Sequence, residues 1–419
     1  MKSKYITISF ITFSILSVLI SFYFRLDITG GPSSDHGTHW IFIEQIRLYP
    51  FSEFLNIQVG SKAPDGIDSR VLHMPLHHII VAKIFHFLNE EEFLFYYFIF
   101  SLILPVLFYK MIKIRFSDLN NLNLIALSSI ILILPNFQSS AIWGNSHISS
   151  LICFLISLHY FEKFLDPLKK KELFYLFLFS FFLVCASYMR QYYVVFSIFY
   201  FYRIIKDKSF KIIIYYVFIN LIFSIPGFIF IINNPAVIFS LSSNITNFYS
   251  ATLISFSIIS FYILPFSIFY FLKNKKQFYD QFTYKNITIF LLFFLIISIC
   301  VIKFTYSGNI GGGIFLKINN LFFDNFYSFY FVCYLMIIPM TIFFFNKLDN
   351  IIIFLIICCT FTSGFFVFQK FFEPMVLIII VMSTNKEFFR KNIMENINLI
   401  YIYFTIYNLS YFAYFLKVI

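Results

Sequence analysis

Charge is what this sequence has least of. Only 12% of its 419 residues are charged, whereas a typical soluble protein carries about 25%. So few charges cannot cover a water-facing surface, which excludes a soluble globular, a disordered or a secreted disulfide-rich protein. Because 60% of the residues are hydrophobic, we predict an all-α protein that crosses a lipid bilayer many times.

Acids are scarcer than bases, and the net charge of +11 raises the question of a nucleic-acid partner. The positions of the bases argue against one, because they cluster in short gaps between apolar runs, as expected for cytoplasmic loops. We predict that these charges set the topology and contact anionic lipid headgroups, with no nucleic acid bound. The clusters lie in 110–115, 169–171, 206–211, 273–276 and 386–391.

Cysteine is also rare, with six residues that all lie inside apolar runs. None has the spacing to histidine that a metal site needs, so we interpret them as small buried apolar residues. The sequence predicts neither a metal nor a cofactor.

Apolar runs of about 20 residues, the length that crosses a bilayer, recur along the chain. We predict one integral membrane domain over 1–419 with about 13 membrane helices. The predicted spans are 5–24, 92–113, 122–139, 145–164, 173–189, 191–205, 211–232, 250–272, 286–304, 324–346, 350–368, 373–384 and 397–417.

The segment 72–88 is ambiguous, because it is apolar but carries four histidines and a lysine. If it crossed the membrane, the basic clusters would fall on the outer side. The positive-inside rule therefore favours a helix lying flat at the interface. The loop 25–91 is then a long outer loop that concentrates acids and histidines and contains juxtamembrane helices.

The first candidate site in that loop surrounds Asp35, His36, His39 and Trp40. Asp35 and His39 are spaced i, i+4, so a helix beginning near Ser34 and capped by Ser33 or Ser34 places them on one face. A carboxylate near a membrane face and beside a histidine suits a general base. A solvated loop, or a metal site formed by Asp35, His36 and His39, are alternatives.

Two further groups lie on the same predicted outer side. Arg70 and His73, just before Pro75, suit the wall of a substrate pocket, with an interfacial helix as the alternative. Arg190 and Gln191 lie between two apolar runs. Arg190 suits phosphate binding, because guanidinium groups bind phosphates in a bidentate manner. Snorkelling towards the membrane surface is the alternative.

The last two groups lie in the second half of the chain. Asp324 and Asn325 open a predicted span soon after Lys317, and Asp324 also suits a helix cap. Lys370 and Glu373 lie in an otherwise apolar stretch, where a simple ion pair is the alternative to a site.

These groups, in this order, resemble the GT-C membrane glycosyltransferases, and most closely the dolichyl-phosphate-glucose alpha-1,2-glucosyltransferase family. The resemblance runs from residue 35 to 375. That family has an acidic catalytic residue in its first outer loop and uses a polyprenyl-phosphate sugar. The matching stretches are Asp35-His36 with His39, Met74-Pro75, Arg190-Gln191, Asp324-Asn325, and Gln369-Lys370 with Glu373. His36 replaces the second acid of the family, and one of two prolines is absent.

The resemblance implies an inverting transfer of a hexose, glucose in that family, from polyprenyl or dolichyl phosphate to a glycan or lipid-linked oligosaccharide. Asp35 would be the base, with His39 beside it. Arg190, Gln191, Lys317 and Lys370 would bind the donor phosphate. The substrate pocket would hold His36, Trp40, Arg70, His73, Asp324, Asn325 and Glu373. The membrane would be the inner membrane of a prokaryote or the endoplasmic reticulum of a eukaryote. A multi-pass transporter or lipid flippase, and an inactive scaffold, are the rival interpretations.

Overall fold

The computed structural model describes residues 2–48, 50, 74–166, 171–234, 248–273, 283–306, 311–344, 357 and 367–418. Over these residues the chain is helical and contains no strand. The helices of the first half are α1 Lys2–Tyr23, α2 Pro32–Leu48, α3 Leu76–Lys83, α4 Glu90–Ser101, α5 Ile103–Arg115, α6 Asn121–Ile133, α7 Pro135–Ile142, α8 Ser146–Leu165, α9 Glu172–Met189, α10 Phe196–Asp207 and α11 Phe210–Asn233.

The second half continues with helices of similar character. They are α12 Phe248–Lys273, α13 Tyr284–Ile302, α14 Gly313–Phe322, α15 Tyr327–Phe344, α16 Met375–Ser383, α17 Lys386–Phe388 and α18 Ile397–Val418. Short 3₁₀ segments lie at Gln191–Val195 and Gln369–Phe371, and a π-helical segment lies at Phe389–Met394.

Seven helices in the described part of the chain are long and apolar enough to cross a membrane. They are Lys4–Tyr23, Glu90–Arg115, Ser146–Leu165, Glu172–Met189, Phe210–Asn233, Phe248–Ile268 and Ile397–Leu416. This indicates a helical multi-pass membrane protein, as predicted. The count of 13 stays a prediction, since most of the predicted span 350–368 lies outside the described residues.

Two predicted spans are broken. The span 122–139 bends by 66° between α6 and α7, where Leu134 adopts the extended backbone typical of a residue before proline. The span 191–205 is a 3₁₀ segment followed by α10, which has 12 residues. Alone, α10 is about 18 Å long, well short of the roughly 30 Å hydrocarbon core.

The ambiguous segment 72–88 contains α3, which has only eight residues. At about 1.5 Å per residue it is about 12 Å long and cannot cross a bilayer. This agrees with the choice not to count it as a span, while its flat orientation stays a prediction.

The chain forms two compact units. Unit 1 comprises Met1–Phe13, Ile112–Leu134 and Ser242–Leu409, and unit 2 comprises Ser14–Met111, Pro135–Leu241 and Ser410–Ile419. In unit 1, Asn408 donates from Nδ2 to the carbonyl of Ile133 at 2.6 Å, which joins α18 to the end of α6. In unit 2, α8 packs along α9, and Ser157 donates to the carbonyl of Phe179 at 2.7 Å. Aromatic rings fill the space between these helices.

Candidate functional site

Polar side chains converge inside unit 2, where α2, α3, α4, the α7–α8 turn and the end of α9 pack together. Four buried imidazoles form the centre of this region, and we call them the histidine cluster. They are His36, His39, His77 and His78.

The beginning of α2 is capped by Asp27. The sequence had instead suggested Ser33 or Ser34 as the cap. The helix begins at Pro32, a residue well suited to the first helical position. The Asp27 carboxylate accepts from the backbone N–H of Ser33 at 2.9 Å and from that of Gly30 at 3.1 Å. A carboxylate from the preceding turn therefore binds the N–H of Ser33, a group in the first helical turn that a hydroxyl cap would otherwise bind.

Asp35 is half-buried in the first turn of α2, and His36 and His39 are buried on that helix. His36 is hydrogen-bonded through Nε2 to Oε1 of Glu90 at 2.8 Å. Burial lowers the pKa of His36 more strongly than the Glu90 carboxylate raises it. His36 is therefore neutral at neutral pH, and its contact with Glu90 is a hydrogen bond rather than an ion pair.

A hydrogen bond of 2.7 Å joins Nδ1 of His39 to Nε2 of His78. His77 lies beside His78, and its Nδ1 is 3.0 Å from the hydroxyl of Ser149. Burial lowers the pKa of His77 to about 3 and that of His78 well below its ordinary value. The two α3 histidines are thus neutral, and His78 fixes the orientation of His39 on α2.

The α7–α8 turn, Trp143–Asn145, completes the cluster. The Tyr97 hydroxyl donates to the carbonyl of Asn145 and accepts from the N–H of Ser149, which anchors the turn to α4. Gly144 has φ +63, and a Cβ there would lie 2.6 Å from the ring of Phe93. Only glycine fits this turn without strain.

The same turn carries polar atoms without hydrogen-bond partners in the described part of the chain. They are Nε1 of Trp143 and both amide atoms of Asn145; Nε2 of His77 on α3 is another. Asn145 is fully buried. Buried polar groups without partners are rare because each one costs free energy, so their concentration here is typical of a binding site.

Arg190 lies at the end of α9, where its extended backbone ends the helix. Its side chain is 6% exposed and donates from Nε to the hydroxyl of Ser146 at 2.8 Å. Snorkelling is therefore not how Arg190 is accommodated. Burial lowers its pKa, and the nearby Asp35 charge opposes that shift. None of the ion pairs seen among the described residues includes Arg190.

An apolar groove of about 530 Å³ includes Gln191, the residue that follows Arg190, in its lining. Gln191 and Met74 line one end, and side chains of α9, α10 and α11 line the rest. The lining continues along α11 from Tyr216 to Ile231, a length of about 22 Å. Nearly all of the exposed lining is apolar, as expected of a groove that binds a hydrocarbon chain.

The predicted residues of unit 1 have varied surroundings. Asp324 and Asn325 are exposed, and α15 begins after them at Tyr327, so Asp324 does not cap it. The amide oxygen of Asn319 instead accepts from the backbone N–H of Phe329 at 3.1 Å. Lys317 is half-buried on α14, and burial lowers its pKa.

Lys370 and Glu373 also belong to unit 1. The Lys370 ammonium lies 4.9 Å from the ring centre of Phe368. Glu373 is buried, and its Oε2 accepts from the hydroxyls of Tyr262 and Tyr407. The hydroxyls of Tyr262 and Tyr407 therefore contact this carboxylate, while the Lys370–Glu373 pair considered from the sequence stays a prediction.

The structure thus brings together six of the predicted residues in unit 2, which are Asp35, His36, His39, Trp40, Arg190 and Gln191. Arg70 and His73 lie outside the described residues. Sequence reasoning missed His77, Trp143, Asn145 and Ser146. The paired histidines after Pro75, and the rarity of tryptophan, were the available signals for the first two. No group of three or more His, Cys, Asp or Glu side chains within the described ranges has an arrangement that could hold a metal ion.

Comparison of this chain with known protein families, characterised proteins and solved structures finds no match.

Proposed function

We propose that this protein is a glycosyltransferase of the GT-C type. In this proposal it moves a hexose, glucose by the resemblance, from polyprenyl or dolichyl phosphate to a glycan or lipid-linked oligosaccharide at the non-cytoplasmic face. The proposal includes about 13 membrane helices and an active site in the outer loop 25–91. The membrane would be the prokaryotic inner membrane or the endoplasmic reticulum.

The observation that carries the proposal is a buried cation whose next residue lines an apolar groove. Arg190 is buried, the charge of Asp35 acts on it, and Gln191, the residue after it, lines the groove. A buried charge is costly unless an anion compensates it. A lipid phosphate supplies the anion that the guanidinium needs, and its isoprenoid chain suits the apolar groove.

The proposed reaction is a single displacement. The Asp35 carboxylate takes the proton of the acceptor hydroxyl as the hydroxyl oxygen attacks the anomeric carbon. The bond from that carbon to the phosphate oxygen breaks, and its electron pair leaves with polyprenyl phosphate. Arg190 stabilises the charge that develops on the phosphate. The attack from the opposite side inverts the anomeric carbon.

The remaining predicted residues have supporting roles in this proposal. His39, held by His78, orients the base or binds sugar. Trp40 and His36 form the pocket wall, and Arg70 and His73 its edge. From the resemblance, Lys317 and Lys370 add charge for the phosphate, and Asp324, Asn325 and Glu373 contact substrate.

The proposal is tested by lipid binding to Arg190→Gln. Purified protein in nanodiscs is titrated with polyprenyl-phosphate-glucose, polyprenyl phosphate and phosphate-free polyprenol. We expect wild type to prefer the phosphorylated lipids and Arg190→Gln to bind them at least about tenfold more weakly, since a hydrogen bond to a charged group contributes about 1.5–3 kcal/mol.

The matched control is Arg203→Gln, because Arg203 forms an i, i+4 ion pair with Asp207 in the same unit, 3.3 Å apart, and does not line the groove. Equal binding by the two variants, or no preference for phosphate in wild type, would contradict the proposal.

One observation favours the rival interpretation of a transporter or flippase. Glu373 is a buried carboxylate just before α16, a nine-residue helix that is buried throughout. Short interrupted helices beside buried acids are typical of transporter sites. A transporter would move the intact lipid-linked sugar across a vesicle membrane, lose that movement in Glu373→Gln, and release no sugar from the lipid.

A further inference from the structure

A second cavity in unit 2 lies between the end of α1 and the beginning of α4. Its volume is about 470 Å³, within the roughly 300–1,000 Å³ of small-molecule sites. Its lining is more polar than that of the apolar groove. The lining residues that matter here are Phe22, Tyr23, Arg25, Glu91, Tyr96 and Trp143.

The charged part of this cavity is a bidentate ion pair. Both guanidinium nitrogens of Arg25 donate to the Glu91 carboxylate, with Nη1 at 2.7 Å from Oε1. Both side chains remain about half exposed or more. A carboxylate has about four lone-pair sites and a guanidinium five N–H groups, so the pair retains donors and acceptors for sugar hydroxyls.

The backbone at Arg25 is an unusual place for arginine. Helix α1 ends in a Schellman motif, in which the N–H of Arg25 bonds to the carbonyl of Phe22 and that of Leu26 to the carbonyl of Ser21. Arg25 has φ +49, at the position where glycine is usual. An arginine in this conformation is sterically disfavoured, and such residues cluster at functional sites.

Aromatic rings supply the rest of the wall. Tyr23 and Tyr96 are exposed, and Trp143 carries an indole N–H that is buried without a hydrogen-bond partner in the described structure. Rings with a polar edge, together with a carboxylate, match the alternating apolar faces and hydroxyls of a sugar. Trp143 also lies 6.0 Å from the ring centre of His36, so the cavity adjoins the histidine cluster.

We propose that this cavity binds the carbohydrate end of the acceptor. The inference rests on the proposed function in assigning the bound carbohydrate to the acceptor. The binding of carbohydrate itself can be measured without any donor lipid. The Arg25–Glu91 pair binds hydroxyls, and the rings of Tyr23, Tyr96 and Trp143 stack on sugar faces. The acceptor hydroxyl is thereby presented beside His36, the residue that follows Asp35 on α2.

The test uses tryptophan fluorescence, because the chain contains only Trp40 and Trp143. In parallel with wild type, Trp40→Phe protein in nanodiscs reports on Trp143 alone, because Trp40 does not line the cavity. It is titrated with short soluble gluco- and manno-oligosaccharides, and with glycerophosphoglycerol and glycerophosphocholine as lipid-headgroup probes.

We expect saturable binding of at least one oligosaccharide, weakened about tenfold by Glu91→Gln. Glu172→Gln is the matched control, because it removes a carboxylate from the Lys208 ion pair of 2.8 Å in the same unit, outside the cavity. Equal unfolding midpoints of the two variants show that Glu91→Gln remains folded.

Three results would overturn the proposal: no response to any oligosaccharide, equal titrations for Glu91→Gln and Glu172→Gln, or a response to the headgroup probes alone. Carbohydrate binding without sugar transfer from polyprenyl phosphate would refute the proposed function and leave the cavity as a carbohydrate site. Sugar transfer without oligosaccharide binding would refute the cavity as a carbohydrate site and leave the proposed function in place.

Discussion

At the residue scale, the histidine cluster shows how burial changes what a residue type can do. The sequence placed Asp35, His36 and His39 on one helix, and spacing alone was enough for that. It could not show that His39 meets His78, because that contact joins residues 39 positions apart. Burial makes His36, His77 and His78 neutral, so they act through hydrogen bonds and not through charge.

This neutrality predicts a pH-dependent stability. The pKa of histidine is about 6.5 in an unfolded chain and about 3 for folded His77. Between these values the unfolded state binds a proton that the folded state does not. The contribution of His77 is fully present above pH 6.5 and is lost as the pH falls, by up to about 1.4 kcal/mol per pH unit.

The measurement is the unfolding midpoint in detergent at neutral and at mildly acidic pH. His77→Asn keeps an amide that can bond to Ser149 but removes the titrating group. We expect the midpoint of wild type to fall more on acidification than that of His77→Asn. Parallel pH profiles would show that His77 does not titrate on unfolding.

At the element scale, helix existence was easier to predict than helix ends. Long apolar runs such as α8, α9 and α11 were predicted to within a few residues, because an uninterrupted run has few alternatives in a membrane. The break at Leu134 was missed, because it lies inside apolar sequence, where local hydropathy carries no information about a change of direction. The end of α9 before Arg190 was predicted, because Arg190 separates the predicted spans 173–189 and 191–205. The cap of α2 was assigned to the wrong residue, because Asp27 is supplied by a preceding turn.

The α7–α8 turn is the element whose geometry most directly serves the site, and Gly144→Ala tests it. The new Cβ meets the ring of Phe93 at 2.6 Å in a left-handed conformation, so we expect about 1–3 kcal/mol of destabilisation. The displaced turn should also weaken oligosaccharide binding at Trp143.

Gly37→Ala is the matched control for this prediction. Gly37 lies in α2, and a Cβ added there would lie in open space. Alanine should therefore stabilise the protein by about 0.5–1 kcal/mol. The free energies of unfolding of both variants, from denaturant titrations in detergent, check the pair. Equal effects would show that the turn tolerates a side chain.

At the scale of the whole molecule, composition predicted the class of the protein more securely than its activity. The low charge and long apolar runs led directly to a helical multi-pass protein. The convergence of α2, α3, α4, α8 and α9 could not be predicted, because it depends on packing between distant segments. The predicted site divides between the two units, with the Arg190 group in unit 2 and the Glu373 group in unit 1. The glycosyltransferase proposal rests on the unit 2 group.

The central claim is that Asp35 is the base of a sugar transfer from a lipid phosphate. The most direct measurement is the release of labelled glucose from polyprenyl-phosphate-glucose to an oligosaccharide by purified Asp35→Asn. The control is Asp118→Asn, at an exposed aspartate paired with Lys386 at 3.0 Å. We expect Asp118→Asn to transfer glucose at the wild-type rate and Asp35→Asn to transfer it at least about 100-fold more slowly. Transfer by Asp35→Asn at the wild-type rate, or no transfer by wild type, would contradict it.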